Sequence, residues 1–372
     1  MHKEKLLIFP FDLMSHYLRC IELAKQYKHY EILFAYSKKY NSFVKKAGFG
    51  SFNVETFNPV EVMKCAEEFN FSWLNTENIK RVFKSQIKII NELKPDMVIG
   101  DTSPTLKMAT EACQIKYVAL MNGYMSKHYN GVRTLSITHP GYKHLIKLPE
   151  NVRDFITKFA EKIAFKIVHK PFRKIRKENN LSYVSNYINE MEGDENLLCD
   201  EEWLFPQNKL PHNYRFIKPL CYESNDSEDN LISLLDPLKP TVCVCLGSSG
   251  NWVALNFLSD KKYSLVNIIV TGDLKQTLAG QHIYHREFAN LNAILPKCAF
   301  LICHGGNGTI YEGLRHKKYM LCLTSHFEQE WNVQRLSKLN LGTMINNAPE
   351  FYINRKIKEV VAENKKPTYE KL

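Results

Sequence analysis

Several common sequence features are missing from this chain, and each absence narrows its function. No apolar stretch approaches the roughly 18 residues that a membrane-spanning helix needs. The apolar part of the first ten residues is too short for a secretory signal peptide, so we expect a cytoplasmic protein. No helix-turn-helix, zinc-finger or RNA-binding pattern occurs, which argues against nucleic acid as a partner.

Cysteine is present but lacks the spacing of a metal site or a disulfide framework. The chain has 10 cysteines in 372 residues and no CxxC pair. Cys243 and Cys245 alternate with valines in an apolar run that ends at Leu246. This pattern predicts reduced cysteines used as small core residues, and no metal centre.

The length and net charge of the chain indicate how many domains it has and what kind of partner it binds. At 372 residues the chain is long enough for two domains, and 44% hydrophobic with 24% charged residues is typical of a globular protein. The formal net charge of +11 indicates an anionic partner. A nucleotide diphosphate and an anionic membrane surface fit that charge equally well.

Strand and helix patterns alternate along the first half of the chain. The predicted strands cover 6–10, 30–36, 97–100 and 117–121. Ser15 is predicted to cap the first helix, with His16 in its first turn, and Ser103 with Pro104 to begin a later helix. This βαβα order predicts a doubly wound parallel sheet. Residues 122–150 show no clear period and are predicted to be loops over a substrate cleft.

The segment 152–172 has a helical period. Apolar residues recur at three- and four-residue spacing, at Phe155, Ile156, Phe159, Ala160, Ile163, Ala164, Ile167 and Val168. Lysines follow another side, and the basic run continues to 177. Two interpretations remain open: a helix packed on the core with a solvated face, or a surface at 152–177 that rests on anionic lipid.

The strand-and-helix order restarts after a polar, acidic stretch. We predict domains at 1–220 and 241–372, joined by a linker at 221–240. Strands are expected at 241–246, 266–271 and 320–324. Two such α/β domains make the cleft between them the expected place for chemistry.

The most informative stretch of the second domain is a strand, a glycine-rich turn and a helix. An apolar run at 300–303 precedes the turn, and a helical segment at 309–314 follows it. The turn consists of His304, Gly305, Gly306, Asn307, Gly308 and Thr309. Free backbone N–H groups and the positive end of a helix dipole make such a turn a phosphate site.

Further residues at fixed spacing make this pattern more specific. Glu312 follows Thr309 by three residues, and Glu328-Gln329-x-x-Asn332 lies about four helical turns further along. The combination resembles the donor-binding signature of the family-1 (UDP-dependent, macrolide-type) glycosyltransferases, bacterial members included. That resemblance implies the GT-B fold, in which two Rossmann-like doubly wound domains face a cleft.

The resemblance also implies roles for individual residues. The turn residues 304–309 would bind the nucleotide diphosphate, Glu312 the ribose, and Glu328 with Gln329 the donor sugar. Ser248 and Ser249, which follow the first strand of the second domain, would touch the diphosphate. The domain at 1–220 would bind the acceptor, and the domain at 241–372 the nucleotide sugar.

Local explanations compete with three of these roles. Thr309 with Glu312 fits a helix capping box, and so does Ser325 with Glu328. Ser248 or Ser249 could instead be an ordinary helix N-cap.

The catalytic base is expected in the first domain. The family has a histidine after the first strand, usually as Gly-His, where this chain has Ser15-His16. Asp101, at the end of a later strand, corresponds to the family's orienting aspartate. A helix N-terminus favours the neutral imidazole, which can accept a proton, and a carboxylate on one ring nitrogen fixes the tautomer.

The residues and the resemblance together predict an inverting, metal-independent glycosyltransferase. It needs no cofactor, and its donor is a UDP- or dTDP-linked sugar. The acceptor is a hydroxyl of a small or lipophilic molecule. Two alternatives are a catalytically silent nucleotide-sugar-binding protein and a transferase at the inner membrane surface that uses a lipid-linked acceptor.

Overall fold

The chain divides into an N-terminal unit, Met1–Tyr222, and a C-terminal unit, Glu223–Leu372. The structure is a computed structural model that describes residues 3–223, 228–247, 250–272 and 278–364. The unit boundary falls within 221–240, the predicted linker. Ser248 and Ser249, predicted to touch the diphosphate, lie outside the described residues.

The N-terminal unit alternates strands and helices along its length. In chain order its elements are β1 Lys5–Pro10, α1 Met14–Ala24, β2 Glu31–Ala35, α2 Asn41–Lys46, β3 Gly50–Phe52, α3 Pro59–Glu67, α4 Thr76–Leu93, β4 Met97–Asp101, α5 Leu106–Cys113, β5 Lys116–Met121, α6 Tyr142–Leu145, α7 Glu150–Val168, α8 Lys170–Glu178, α9 Tyr187–Glu190, β6 Glu195–Cys199 and β7 Tyr214–Ile217. In the described part of this unit, the strands form one parallel sheet in the order β3-β2-β1-β4-β5-β6-β7.

Both faces of the central strands are covered, which explains their unbroken apolar sequences. Leu6, Leu7 and Ile8 of β1 are all fully buried, and so are Val98 and Ile99 of β4. Burying one such side chain stabilises the fold by roughly 1.5–3 kcal/mol. The strands predicted at 6–10, 30–36, 97–100 and 117–121 are therefore confirmed as β1, β2, β4 and β5.

The predicted helix starts are less accurate. The N-cap of α1 is Leu13, with no side-chain hydrogen bond, and Ser15 lies inside the helix, so its predicted capping role is wrong. Helix α5 begins at Leu106 after a turn, so Ser103 and Pro104 do not start it. In the turn, the hydroxyl of Ser103 accepts a hydrogen bond from Gln86 of α4, which gives this serine another partner.

The predicted helix at 152–172 is two helices, α7 and α8. Only Thr157 of α7 is fully buried, whereas α8 buries Phe172, Ile175 and Arg176. The interpretation that the apolar side of the first helix packs on the core is wrong, because Phe155 and its apolar neighbours are exposed. The predicted loop segment 122–150 contains the short helix α6 and one 3₁₀ turn, Gly123–Met125.

The C-terminal unit repeats the same design. Its elements are α10 Asp229–Ile232, β8 Thr241–Cys245, β9 Asn267–Thr271, β10 Ile283–Arg286, α11 Leu291–Ile294, β11 Cys298–Cys303, α12 Asn307–Arg315, β12 Met320–Cys322, α13 Phe327–Lys338, β13 Gly342–Met344 and α14 Pro349–Asn364. The described strands form a parallel sheet in the order β10-β9-β8-β11-β12-β13. The strands predicted at 241–246, 266–271, 300–303 and 320–324 are confirmed as β8, β9, β11 and β12.

The cysteines behave as predicted. All ten are free thiols, and eight of them are buried. Cys243, Cys298, Cys303 and Cys322 lie in neighbouring strands of the C-terminal sheet. A hydrogen bond with the Cys303 thiol, and then burial, raise the pKa of Cys322 well above its ordinary value, which is expected of an inert core thiol.

Candidate active site

The first group of candidate residues lies at the carboxyl edge of the N-terminal sheet. The chain runs from β1 outward to β2 and β3, then returns to β4 on the other side of β1. Ligands of doubly wound sheets bind at such reversals of strand order. Pro10 at the end of β1 pairs with Asp101 at the end of β4, so the segments after these two strands begin side by side.

His16 and Asp101, predicted as base and orienting carboxylate, are in direct contact here. Nδ1 of His16 lies 3.0 Å from Oδ2 of Asp101. Asp101 is fully buried, and the His16 side chain is 13% exposed. A carboxylate on Nδ1 favours the tautomer with its proton there, so Nε2 is left to accept a proton.

Arg19 also binds Asp101, a contact that the sequence analysis missed. Its Nε and one terminal nitrogen contact both carboxylate oxygens of Asp101, and its other terminal nitrogen lies 2.6 Å from Oδ1 of Asn122. The guanidinium also lies 3.2 Å from Nδ1 of His16. Any imidazolium formed at His16 would therefore sit beside an existing positive charge.

This network keeps Asp101 ionised. Burial by itself raises the pKa of the carboxyl group, but Arg19 and then His16 outweigh it and hold the pKa well below its ordinary value. Two signals could have found the missed residues. Arg19 follows His16 by three residues, which puts both on one side of a helix. Asn122 follows β5 directly, as Asp101 ends the adjacent β4.

The ring of Phe11 packs against that of His16 and belongs to a small aromatic cluster. The ring of Phe11 lies 5.8 Å from that of His16 and 6.3 Å from that of Trp73. Phe57 packs edge-on against Trp73 at 4.9 Å. Phe11 and Phe57 also line a small cavity with Asp12 at this edge of the sheet. Phe11 therefore joins His16 to a cluster of rings in which Phe57 and Trp73 are buried.

The second group of candidate residues lies at the carboxyl edge of the C-terminal sheet. Here the strand order reverses between β8 and β11, and Cys245 pairs with Cys303 at their ends. His304 follows β11, and its Nδ1 lies 3.5 Å from the carbonyl oxygen of Cys245. Both candidate groups thus occupy the same topological position in their own units.

Glycines give the second site its shape. Gly247, after β8, has a positive φ of 59°, and a Cβ there would come within 2.9 Å of the His304 ring. Gly305 has φ of 84°, and a Cβ there would come within 2.7 Å of Val333 in α13. Only glycine fits these two positions without strain. The amide of Asn332 donates a 2.9 Å hydrogen bond to the Gly305 carbonyl and supports the turn from α13.

Helix α12 starts within the predicted phosphate turn. Gly306 is its N-cap with no side-chain hydrogen bond, and Asn307, Gly308 and Thr309 are its first three residues. Among the residues that the structure describes, none comes within 4 Å of a Cβ placed on Gly308, so in this part of the chain the end of the helix is open. An open helix N-terminus of this kind offers N–H groups and a positive dipole end to an anion.

Two histidines adjoin this turn and are neutral at pH 7. Burial lowers the pKa of His304 to about 4, and the Cys245 carbonyl opposes that shift only in part. Burial, and then the proximity of His304, lowers the pKa of His326 to about 3. A bound diphosphate would favour protonation of His304, because an adjacent negative charge stabilises the imidazolium.

The structure excludes both capping-box alternatives. Thr309 is the third residue inside α12, and the N-cap of α13 is His326, so neither Thr309 nor Ser325 occupies a cap position. Gln329 does take a local role, because its Oε1 accepts a 2.7 Å hydrogen bond from the backbone N–H of Ser325. A capping box therefore no longer competes with the ribose contact predicted for Glu312 or with the sugar contact predicted for Glu328.

The predicted sugar- and ribose-binding residues differ in exposure. Glu312 is buried, with Oε2 at 4.0 Å from Nε2 of His316, and Gln329 is buried as well. Glu328 is half-buried near the start of α13. Within 3–223, 228–247, 250–272 and 278–364, no group of three or more His, Cys, Asp or Glu side chains is placed to hold a metal ion.

Curated relatives of the chain are bacterial glycosyltransferases. No family model matches the chain. A PGL/p-HBAD biosynthesis glycosyltransferase of Mycobacterium tuberculosis is 24% identical over 89% of this chain and 78% of the relative. A PGL/p-HBAD biosynthesis rhamnosyltransferase of Mycobacterium bovis is 20% identical over 89% and 74%. An inactive PGL/p-HBAD biosynthesis glycosyltransferase of Mycobacterium bovis is 25% identical over 64% of each chain.

Solved structures share the fold at low sequence identity. The spinosyn rhamnosyltransferase SpnG with spinosyn aglycone has a TM-score of 0.66 at 14% identity, over 97% of this chain and 91% of that one. The glycosyltransferase VinC with dTDP has a TM-score of 0.63 at 16% identity, over 96% and 92%. These comparisons confirm the GT-B fold and the resemblance to family-1-like glycosyltransferases that the sequence predicts.

Proposed function

From its GT-B fold and its resemblance to family-1-like glycosyltransferases, we propose that the chain transfers a sugar from a nucleotide diphosphate to an acceptor hydroxyl. The observation that carries this proposal is the contact of His16 with Asp101 at the reversal of strand order in the N-terminal sheet. The reaction inverts the anomeric centre, and the donor is UDP- or dTDP-linked. The complex of VinC with dTDP supports the second of these donors.

His16 acts as the base in this proposal. Its Nε2 takes the proton of the acceptor hydroxyl, and the hydroxyl oxygen forms a bond to the anomeric carbon. The bond between that carbon and the diphosphate oxygen breaks on the opposite face, through an oxocarbenium-like transition state. Asp101 holds the imidazole by Nδ1 and stabilises the imidazolium that forms.

The C-terminal unit binds the leaving diphosphate. The open N-terminus of α12 offers it backbone N–H groups from residues 307–309, and His304 offers it a ring nitrogen. These groups supply the charge stabilisation that a metal ion gives in other transferases, so the proposed reaction needs no metal. Transfer should then persist in the presence of a chelator.

The acceptor is a small or lipophilic molecule. The apolar ring of Phe11 beside His16, together with Phe57 in the cavity that Phe11 also lines, favours an acceptor with an apolar body and one reactive hydroxyl. The structure of SpnG with an aglycone is an example of such an acceptor in a protein of this fold.

The test is a transfer assay with a matched pair of histidine variants. His16→Ala should lower the transfer rate by about two to four orders of magnitude, the range for loss of a general base. Its affinity for the nucleotide should stay within about twofold, because the donor site lies in the other unit. His29→Ala, at an exposed histidine of the same unit, is the control and should transfer sugar at the wild-type rate.

The donor is found by incubation with UDP-, dTDP- and GDP-sugars, with nucleotide release measured with and without acceptor. The anomeric configuration of the product, read by NMR, tests inversion. Transfer by His16→Ala at nearly the wild-type rate would show that the base is another residue.

A second candidate is a catalytically silent nucleotide-sugar-binding protein. The observation that favours it is Arg19, which binds both oxygens of Asp101 and lies 3.2 Å from Nδ1 of His16. Asp101 is then shared between two partners, and its support of a charged His16 is weaker. The existence of an inactive relative is consistent with this candidate.

One assay distinguishes the active transferase from the silent binding protein. A silent protein would be stabilised in a thermal-shift measurement by one nucleotide sugar, yet would release no nucleotide with any acceptor. Arg19→Met adds a further distinction, because it removes the competing charge. If Arg19 suppresses the base, Arg19→Met should gain turnover wherever the variant remains folded.

A third candidate keeps the reaction and specifies a lipid-linked acceptor at the inner membrane surface. The exposed apolar side of α7 favours it, since this side lies in the same unit as His16. A membrane-bound enzyme would turn over an acceptor in vesicles faster than the same acceptor in detergent. A soluble-acceptor enzyme would show the opposite order.

A further inference from the structure

Helix α7 turns a row of large apolar side chains to solvent. Phe155, Phe159, Ile163 and Ile167 follow one another at four-residue spacing and are 73%, 62%, 47% and 54% exposed. Such spacing places them along one side of a helix. Single exposed apolar residues are ordinary on protein surfaces, but a continuous row of this size indicates a binding surface.

The inward side of the same helix makes both polar and aromatic contacts. Glu161 forms a 2.5 Å ion pair with Arg133, which in turn donates hydrogen bonds to the carbonyl oxygens of Tyr124 and Ser126. Thr157 is buried beside this side, and Phe165 packs 6.1 Å from the ring of Tyr187. These contacts hold α7 on its unit without burying the apolar row.

Positive charge accompanies the apolar row. Lys158, Lys162 and Lys166 are exposed on α7, interleaved with the row at helical spacing. The acidic Glu161 turns inward to Arg133, which leaves the exposed side positive. The segment 143–177 contains eleven Lys or Arg residues and three Asp or Glu residues, so much of the net charge of +11 lies here.

We infer that α7 docks on an anionic lipid bilayer. The helix lies parallel to the membrane, its phenylalanines and isoleucines enter the boundary between headgroups and acyl chains, and its lysines contact lipid phosphates. At 19 residues α7 is about 28 Å long. No helix in the described ranges is both long and apolar enough to cross a membrane.

The charge pattern favours a membrane over a second copy of the chain. In a symmetric dimer through this surface, the same patch meets itself, so the lysines of one α7 would approach those of the other. An anionic bilayer instead supplies the opposite charge along the whole helix. Ile146 and Leu148, exposed just before α7, extend the apolar surface, and Lys143 and Lys147 extend the charge.

The experiment is sedimentation of the full chain with vesicles. The chain should bind vesicles made of equal parts phosphatidylglycerol and phosphatidylcholine, and should not bind phosphatidylcholine alone. The double variant Phe155→Ser/Phe159→Ser should bind at least about tenfold more weakly, because it removes the inserted rings. Phe351→Ser, at an exposed phenylalanine of the C-terminal unit, should bind like the wild type.

A series of lysine variants tests whether the lysines of α7 contact lipid phosphates. Lys158→Gln/Lys162→Gln/Lys166→Gln should weaken binding at least about tenfold, whereas Lys28→Gln/Lys84→Gln/Lys88→Gln, at exposed lysines elsewhere in the unit, should change it less than about threefold. Phe159→Trp supplies a direct readout, since a tryptophan that enters the bilayer shifts its emission to the blue. An unshifted emission in anionic vesicles would contradict insertion.

Two outcomes would overturn the inference. Equal binding of the wild type and Phe155→Ser/Phe159→Ser to anionic vesicles would show that the row does not insert. A dimer that dissociates in Phe155→Ser/Phe159→Ser, together with no vesicle binding by the wild type, would make this surface an interface between copies. Nucleotide release with a water-soluble acceptor measures the proposed sugar transfer separately, and the row is not part of that machinery.

Discussion

The two candidate sites occupy the same place in their sheets, but one is built from side chains and the other from backbone. The N-terminal site consists of charged side chains, with Asp101 fully buried between Arg19 and His16. The C-terminal site consists of backbone, with Gly247 and Gly305 at positive φ around a neutral His304. Each lies where the strand order of its sheet reverses.

This difference matches the work proposed for each site. A base needs fixed side-chain geometry and a carboxylate that stays ionised, which a buried ion pair provides at a high cost in desolvation. A diphosphate site needs several N–H groups at close range, which a glycine turn and a helix end provide without any charged side chain. The first site should therefore respond to loss of charge, and the second to added atoms and to protonation.

The largest effect expected is from Asp101→Asn. This change leaves the buried guanidinium of Arg19 without its anion, and removing one partner of a buried ion pair costs about 3–5 kcal/mol of unfolding free energy. Urea unfolding at pH 7 measures this loss. Asp260→Asn, at an exposed carboxylate of the C-terminal unit, should change stability by less than about 0.5 kcal/mol.

The pH dependence of this loss is a second check. The pKa of Asp101 is lowered on folding, so the stability that its charge contributes is present above the unfolded pKa of about 3.9. That stability is lost as the pH falls below this value toward the lowered pKa of the folded state. The advantage of the wild type over Asp101→Asn should therefore shrink below about pH 4. An advantage that is constant down to pH 3 would contradict the ion pair.

The next effect concerns protonation of His304 in the glycine-built site. Burial lowers its pKa to about 4, whereas an unfolded histidine has a pKa of about 6.5. The unfolded chain thus takes up this proton first, and the wild type should lose stability as the pH falls from about 6.5 to about 4. From these two pKa values, the loss at pH 5 relative to pH 7 is about 2 kcal/mol.

His304→Gln should lack this loss, so its unfolding free energy should fall less than that of the wild type between pH 7 and pH 5. His326, with a pKa of about 3, titrates at lower pH and should leave this comparison intact. Bound UDP or dTDP should also reduce the loss in the wild type, because the diphosphate favours the charged ring. Parallel pH profiles for the wild type and His304→Gln would show that folding does not lower the pKa of His304.

The sequence predicted the central strands of both sheets because these strands are covered on both faces, and it missed β3, β6, β7, β10 and β13. Runs such as 6–10 and 97–100 have no polar alternative, so their apolar pattern alone locates β1 and β4. The strand–turn–helix pattern likewise located the turn after β11, since glycine adopts the positive φ of Gly305 without strain.

What the sequence could not predict depends on tertiary surroundings. Ser15 is a good local cap, yet α1 begins before it, at Met14. The period of α7 identified its apolar side but not whether any element covers it. Arg19 stood at the right spacing from His16, but only the adjacent ends of β1 and β4 bring both residues to Asp101. Patterns along the chain report local geometry, whereas packing decides which side of a helix is buried.

The smallest effect expected is from Gly308→Ala, and it probes the backbone-built site directly. Gly308 is the second residue of α12, and no atom of the described residues lies within 4 Å of where its Cβ would be. Alanine in a helix is more stable than glycine by about 0.5–1 kcal/mol, so the ligand-free chain should become slightly more stable. The same methyl group projects from the helix end proposed to bind the diphosphate, so UDP or dTDP should bind more weakly although the ligand-free chain is more stable.

Opposite signs for the changes in stability and in nucleotide affinity, measured by thermal unfolding and by titration of nucleotide, distinguish a ligand-binding turn from a merely structural one. If nucleotide affinity is unchanged, the diphosphate does not lie against this end of α12, and the contrast between the two sheet edges loses its functional meaning.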